Sequence, residues 1–151
     1  MRIYLDNCCY SRIDDNQNQT KIIKETEAIL IIQDKIVEGK IELATSYMLH
    51  YENNQNTDEI KKQKNDSFFK KYRKIHIGIE YVDKLEPSIK KIMSTGIKVK
   101  DATHVASSIL AKCDYFVTVD ERVLKYKSNE IKILNPIDFV EILEVNGNDN
   151  E

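Results

Sequence analysis

The chain has 151 residues, 41% of them apolar, and a formal charge of −2 from 23 basic and 25 acidic side chains. That length supports one domain with its own hydrophobic core and no metal or disulfide staples. The composition excludes a disordered chain and gives no global basic signature of a nucleic-acid protein. Two adjacent cysteines (Cys8, Cys9) and a distant one (Cys113) form neither a disulfide framework nor a CxxC zinc pattern, and read as small apolar fillers. The first residues lack a signal-peptide pattern and no apolar run reaches membrane-spanning length. The expectation is a soluble cytoplasmic protein without membrane association.

In chain order, Arg2 to Leu5 is a strand that runs straight into Asp6, and the polar SRIDDNQNQ after it reads as a loop. From Lys21 to Val37, Ile22, Ile29, Ile32 and Ile36 share one helical face, widened by Ile23, Leu30 and Val37, and Gly39 ends the helix. Ile41 to Thr45 is a second strand, and Ser46 is an N-cap for the helix YMLHYENN. Residues 57–74 are charged and helix-compatible, and Ile75 to Tyr81 is a third strand. Asp83 to Ser94 is a helix whose start Pro87 delays. Ala102, Val105, Ala106, Ile109 and Leu110 form the stripe of a core-facing helix. Tyr115 to Val119 and Ile131 to Leu134 are the last strands, with the short helix ERVLKY between them. Asn135-Pro136 opens a final helix through Leu143. This alternation predicts an α/β protein, a three-layer α/β/α sandwich around a mostly parallel five-stranded sheet. It forms one domain over residues 1–143, with a flexible tail over 144–151.

In open parallel sheets ligands bind beyond the carboxyl ends of the strands. Asp6 follows the first strand and Glu52 lies on the helix after the second. Asp101 opens the helix before the fourth strand, and Asp120 follows that strand. Asp101 and Asp120 also stand where an N-cap is wanted, and Glu52 alone would pass for a solvated helix residue. Asp6 has no such explanation. Four carboxylates at one edge repel unless a cation neutralises them. Hard oxygen donors at an open site suit Mg²⁺ or Mn²⁺, which can generate a nucleophilic hydroxide and stabilise phosphoryl transfer. Dinucleotide, P-loop and nucleophile-elbow motifs are absent, and there are only four glycines. The Asp-Asn-Cys after the first strand lacks the second aspartate of an aspartyl-phosphate hydrolase. His104, three residues after Asp101, reads as a satisfied core histidine, with the acidic site within its reach as the alternative.

YLDNCCY, SYMLHYE, KVKDATHVASSILAKCDYFVTVDERVL and ILNPIDFV together resemble the PIN-domain family, in the branch related to the VapC toxins of bacterial toxin–antitoxin pairs. The resemblance covers residues 1–143. It implies a metal-dependent endoribonuclease that leaves 5′-phosphate and 3′-hydroxyl ends. Asp6, Glu52, Asp101 and Asp120 match the family's catalytic, metal-binding acids for Mg²⁺ or Mn²⁺. Thr118 matches the hydroxyl that supports the last acid, and Asn7 is placed to donate to the Asp6 carboxylate. The partners implied are an RNA substrate, a second copy in a homodimer, and a cognate antitoxin whose tail covers the acidic site. The competing expectation is a catalytically silent PIN-fold module that binds RNA or protein.

Residues 61–74, KKQKNDSFFKKYRK, set seven basic residues against Asp66, with Phe68, Phe69 and Tyr72 interleaved. Such a segment reads as a phosphate-tracking patch in which Lys70, Lys71, Arg73 and Lys74 contact RNA. It reads equally as a solvated helix whose aromatic side chains pack on the core. On the first reading, charge reversal at Lys70 and Lys71 weakens RNA binding.

Overall fold

The computed structural model describes residues 1–149. Five strands form one sheet: β1 (Arg2–Leu5), β2 (Glu42–Ser46), β3 (Arg73–Ile77), β4 (Tyr115–Val117) and β5 (Lys132–Leu134). The order across the sheet is β3-β2-β1-β4-β5, and every neighbouring pair is parallel. The chain steps outward from β1 through β2 to β3, then returns to lay β4 on the other side of β1. Strand order therefore reverses between β1 and β4, and a crevice opens beyond their carboxyl ends. β1 is central, and Ile3, Tyr4 and Leu5 are all fully buried. That explains a continuous apolar run in place of alternation.

The crossovers are helical, as parallel pairing requires. They comprise α1 (Asn7–Arg12), α2 (Thr20–Val37), α3 (Tyr47–Asn54), α4 (Glu59–Tyr72), α5 (Val82–Met93), α6 (Val99–Leu110), α7 (Glu121–Leu124) and α8 (Pro136–Asp149). α2 packs with α8, and α5 with α6, so that helices flank the sheet as the expected three-layer α/β/α sandwich. α2 buries Ala28, Ile29, Ile32 and Ile36 and ends at Gly39, whose φ of +76° is the left-handed conformation a helix stop favours. Ile23, Leu30 and Val37, expected to widen that face, are exposed. The buried Glu25 carboxylate is held instead by Arg12 of α1 at 3.5 Å.

Several boundaries differ from expectation. NCCYSR was expected to lead into a loop, but it is α1, and β1 passes into it directly after Asp6. Cys9 and Tyr10 are buried, so tertiary packing overrides poor intrinsic helix propensity. β3 begins two residues early and ends at Ile77, and Ile79–Tyr81 is a 3₁₀ turn that leads into α5. Pro87 lies inside α5, at the cost of the bond its missing N–H would give the Asp83 carbonyl. α8 runs through Asp149 and does not stop at Leu143. Residues 144–149 of the expected tail are thus helical, and residues 150–151 lie outside the described residues.

Ile29 is fully buried and Ile60 is 82% exposed. Ile29→Ala is expected to cost about 2–5 kcal/mol, and Ile60→Ala less than about 0.5 kcal/mol. Urea denaturation of the two variants measures both.

Candidate functional site: an acidic pocket at the strand-order reversal

Three of the four acids stand at helix starts on the carboxyl edge of the sheet. Asp6 is the N-cap of α1, where its Oδ1 accepts the Asn7 backbone N–H at 2.8 Å. Asp120 is the N-cap of α7, and its Oδ1 accepts the Arg122 N–H at 2.9 Å. Asp101 lies within the first turn of α6; the cap position belongs to Lys98, whose side chain makes no capping bond. Glu52 lies on α3, whose cap Ser46 accepts the Leu49 N–H at 3.2 Å. Asp6 therefore has a capping role that was not expected, because no helix was predicted directly after β1. Helix N-termini favour negative charge, so capping and function draw on the same backbone groups.

All four acids line one open pocket of about 300 Å³, together with Asn7, Cys8 and Ser11. Asp6 is only 4% exposed, and a buried carboxylate requires donors. Thr118 Oγ1 donates to its Oδ2 at 2.8 Å and accepts the Asp120 backbone N–H at 3.1 Å. The hydroxyl expected to support the last acid thus ties the last acid to the first. Asn7 serves Asp6 through its backbone N–H; the Cys8 thiol reaches Asp6 Oδ2 at 3.5 Å and Thr118 at 3.3 Å. Cys8 is part of the pocket wall as well as a filler.

His104 is fully buried and its Nε2 lies 2.5 Å from Glu52 Oε1 and 3.9 Å from Asp6 Oδ1. It is at once the satisfied core histidine and a neighbour of the acids. An ionised Glu52 can only accept, so Nε2–H donates to it. With the ring neutral, Nδ1 accepts from the Tyr4 hydroxyl at 2.6 Å, and the Tyr4 oxygen accepts from Ser46 at 2.6 Å. The chain Ser46–Tyr4–His104–Glu52 then leaves no buried polar atom unmatched. Tyr4 and Ser46 carried no chemical signal in the sequence, since one is a strand residue and the other a cap.

The charges are uneven across the pocket. Burial raises the Asp101 carboxyl above its ordinary range, and the charges of Asp6 and Asp120 raise it further. No protein donor satisfies Asp101 among the described residues. Burial also pushes Glu52 up, but the His104 hydrogen bond and charge, with help from Lys100, bring it below the usual range. For His104 burial favours the neutral ring, yet the Glu52 hydrogen bond and the charges of Asp6, Glu52 and Asp101 raise it above its ordinary value.

Among the described residues, no three acidic, histidine or cysteine side chains form a ready-made metal cluster. The donor set still fits a hard divalent ion. Its donors are carboxylate oxygens around an open pocket, Asp101 lacks any other partner, and hydrated Mg²⁺ is commonly held by only one or two carboxylates.

The basic segment is placed elsewhere. Because β3 runs parallel to the other strands, Arg73 and Lys74 at its start lie at the opposite edge of the sheet from the acids. Lys70 and Lys71 end α4 beside them, with Lys70 paired to Asp66 at 2.9 Å. Phe69 is buried against Tyr10, and Phe68 and Tyr72 are half-buried on the same cluster.

The sequence matches no protein-family model and no curated protein. Solved structures share the fold, two of them as follows. The first is VapBC2 from Rickettsia felis bound to a DNA fragment from its promoter, at 14% identity and a TM-score of 0.56, covering 89% of this chain and 98% of that one. The second is FitAcB from Neisseria gonorrhoeae, at 15% identity and a TM-score of 0.54, covering 89% and 97%. The architecture they share with this chain is the three-layer α/β/α sandwich around a parallel sheet. No helix among the described residues is long and apolar enough to cross a membrane.

Because His104 is raised above its ordinary 6.5, the folded state keeps a proton that the unfolded chain releases. Its contribution to stability is complete below that value and is lost as pH rises through the folded value. Glu52 acts with the opposite sign, below its ordinary 4.5. Melting temperature in EDTA is therefore expected to fall as pH rises above 6.5, and His104→Gln flattens that slope.

Proposed function

We propose that the chain is a metal-dependent endoribonuclease, the toxin of a type II toxin–antitoxin pair. The observation that carries this reading is the gathering of Asp6, Glu52, Asp101 and Asp120, from four separate segments, around one pocket at the strand-order reversal. A pocket of this kind suits an ion and a phosphate better than it suits an apolar ligand. The likeness in fold to VapBC2 and FitAcB supports the class.

Asp6, Asp101 and Asp120, with Glu52 alongside, would hold Mg²⁺ or Mn²⁺. Such an ion, when bound, lowers the pKa of its water and stabilises charge on the phosphoryl group. The chain's own residues set the stage for that chemistry. Thr118 and the Asn7 amide hold the Asp6 carboxylate at a fixed angle. His104 holds Glu52 and keeps it ionised. Asp101, without a protein donor, is free to turn toward an ion or to orient an attacking water. Arg122 bonds both Asp120 oxygens within 3.5 Å and partly offsets the local charge. The same reading carries a cytoplasmic location, a homodimer, and an antitoxin whose basic side chain enters the acidic pocket.

End-labelled total RNA incubated with the purified protein and Mn²⁺ or Mg²⁺ tests this reading. Discrete metal-dependent cuts are expected, and they disappear with Asp101→Asn purified identically. Thr118→Val, which frees Asp6 from its donor, is expected to lower the rate about 10–100-fold, the usual effect of losing a partner that orients a metal ligand. No cleavage by the unmodified protein in either metal would leave a binding module.

A further inference from the structure

A polyanion cannot approach four carboxylates unless cations line its path. The α4 lysines do not supply that path. Lys61 lies 3.8 Å from Asp14 and 3.9 Å from Asp58, and Lys62 is 3.6 Å from Glu59. Lys64 and Lys71 line a separate cavity beside Phe68 and Tyr72, and Arg73 and Lys74 lie at the far edge of the sheet.

Unspent positive charge lies beside the acids instead. A groove of about 480 Å³ opens between the turn that precedes α6 and the residues that end and follow α7. Gly96 and Ile97 form one wall, and Arg122, Lys125, Tyr126 and Lys127 the other. Lys98 and Lys100 follow Ile97 in the chain at the start of α6, and both are exposed. The two stretches, TGIKVK and RVLKYK, bring five cations and no acid. Among the described residues, the one salt bridge these five make is from Arg122 to Asp120, at 3.5 Å.

The groove and the acidic pocket share no lining residue but meet through one side-chain contact. Arg122 lines the groove and bonds Asp120, which lines the pocket. Lys100 acts on Glu52 from the α6 side. Cations therefore flank Asp101 and Asp120 from two separate helices. Tyr126 is half-buried in the groove, a fixed ring of the kind on which an unpaired base stacks.

We propose that this groove carries the phosphodiester backbone of a single RNA strand into the acidic pocket. Lys98, Lys100, Lys125 and Lys127 contact phosphates, and Arg122 sits at the junction with the scissile region. The assignment rests on the ribonuclease reading for its ligand, but it replaces α4 with a different surface as the strand's path.

The test is fluorescence anisotropy of a labelled single-stranded RNA on full-length protein carrying Asp101→Asn, which blocks turnover. Lys125→Ala/Lys127→Ala is compared with Lys70→Ala/Lys71→Ala in that background between about 50 and 200 mM salt. All four lysines are exposed, and thermal melts confirm folding. Loss of two phosphate contacts flattens the slope of log K against log salt by about 1.4, at about 0.7 per contact for single strands. That change is expected for the groove pair and not for the α4 pair. An unchanged slope for the groove pair, or a change confined to the α4 pair, overturns the assignment. A decaglutamate peptide that competes as well as RNA of equal charge would also overturn it, since the groove would then be an acidic-peptide site. Failure of the nuclease reading looks different: the groove pair still flattens the slope, but the unmodified protein cuts no RNA with Mg²⁺ or Mn²⁺.

Discussion

The hydrogen bond from Thr118 to Asp6 is the constraint on which the site depends. The pairing of Leu5 with Val117 ends the β1–β4 ladder, and the Asp6 N–H adds one last bond to the Val117 carbonyl at 2.9 Å. Beyond that point the two chains diverge, and the Thr118 side chain continues the connection the backbone has given up. Asp6 is thereby fixed as a buried carboxylate with donors at both oxygens. α1 can then begin at the next residue, and the amide of Asp120 is secured on the same hydroxyl. Removing that hydroxyl would leave a buried charge short of a donor, one of the more costly defects a fold can carry.

The other half of the pocket is held by a different device. Glu52 comes from a helix with no strand-end constraint, and its position is set by a histidine from α6 that no solvent reaches. Mutual repulsion among the acids is moderated by helix N-termini, by His104 and by Arg122. Asp101 has no hydrogen-bond donor among the described residues, and burial, with the charges of Asp6 and Asp120, raises its carboxyl above the ordinary range.

What could be read from the sequence was what local chemistry decides. The apolar run of β1, the Ser46 cap, the α6 stripe and the Asn135-Pro136 start all appear where expected; Asn135 Oδ1 accepts the Asp138 N–H at 2.9 Å. α1 could not be read because its sequence is poor in helix formers and its start is fixed by Asp6 and by burial of Cys9 and Tyr10. The four acids were visible as residues at strand ends, but Tyr4 and Ser46 gain their role only when β1, β2 and α6 come together. The basic run at 61–74 was conspicuous because its charges are contiguous, yet contiguity says nothing about which edge of a parallel sheet they reach. The five cations beside the pocket lie in two short stretches far apart in the chain, and no local window combines them.

The buried line from Ser46 through Tyr4 and His104 to Glu52 has a consequence for how such a sequence can drift. Each member is donor to one neighbour or acceptor from another, and Ser46, Tyr4 and His104 are fully buried. Changing any one alone strands its neighbour, so single steps away from this arrangement are penalised while coordinated replacements are not. Across proteins built on this plan, the four positions should behave as a single inherited character, kept or exchanged together although they are spread over a hundred residues of chain.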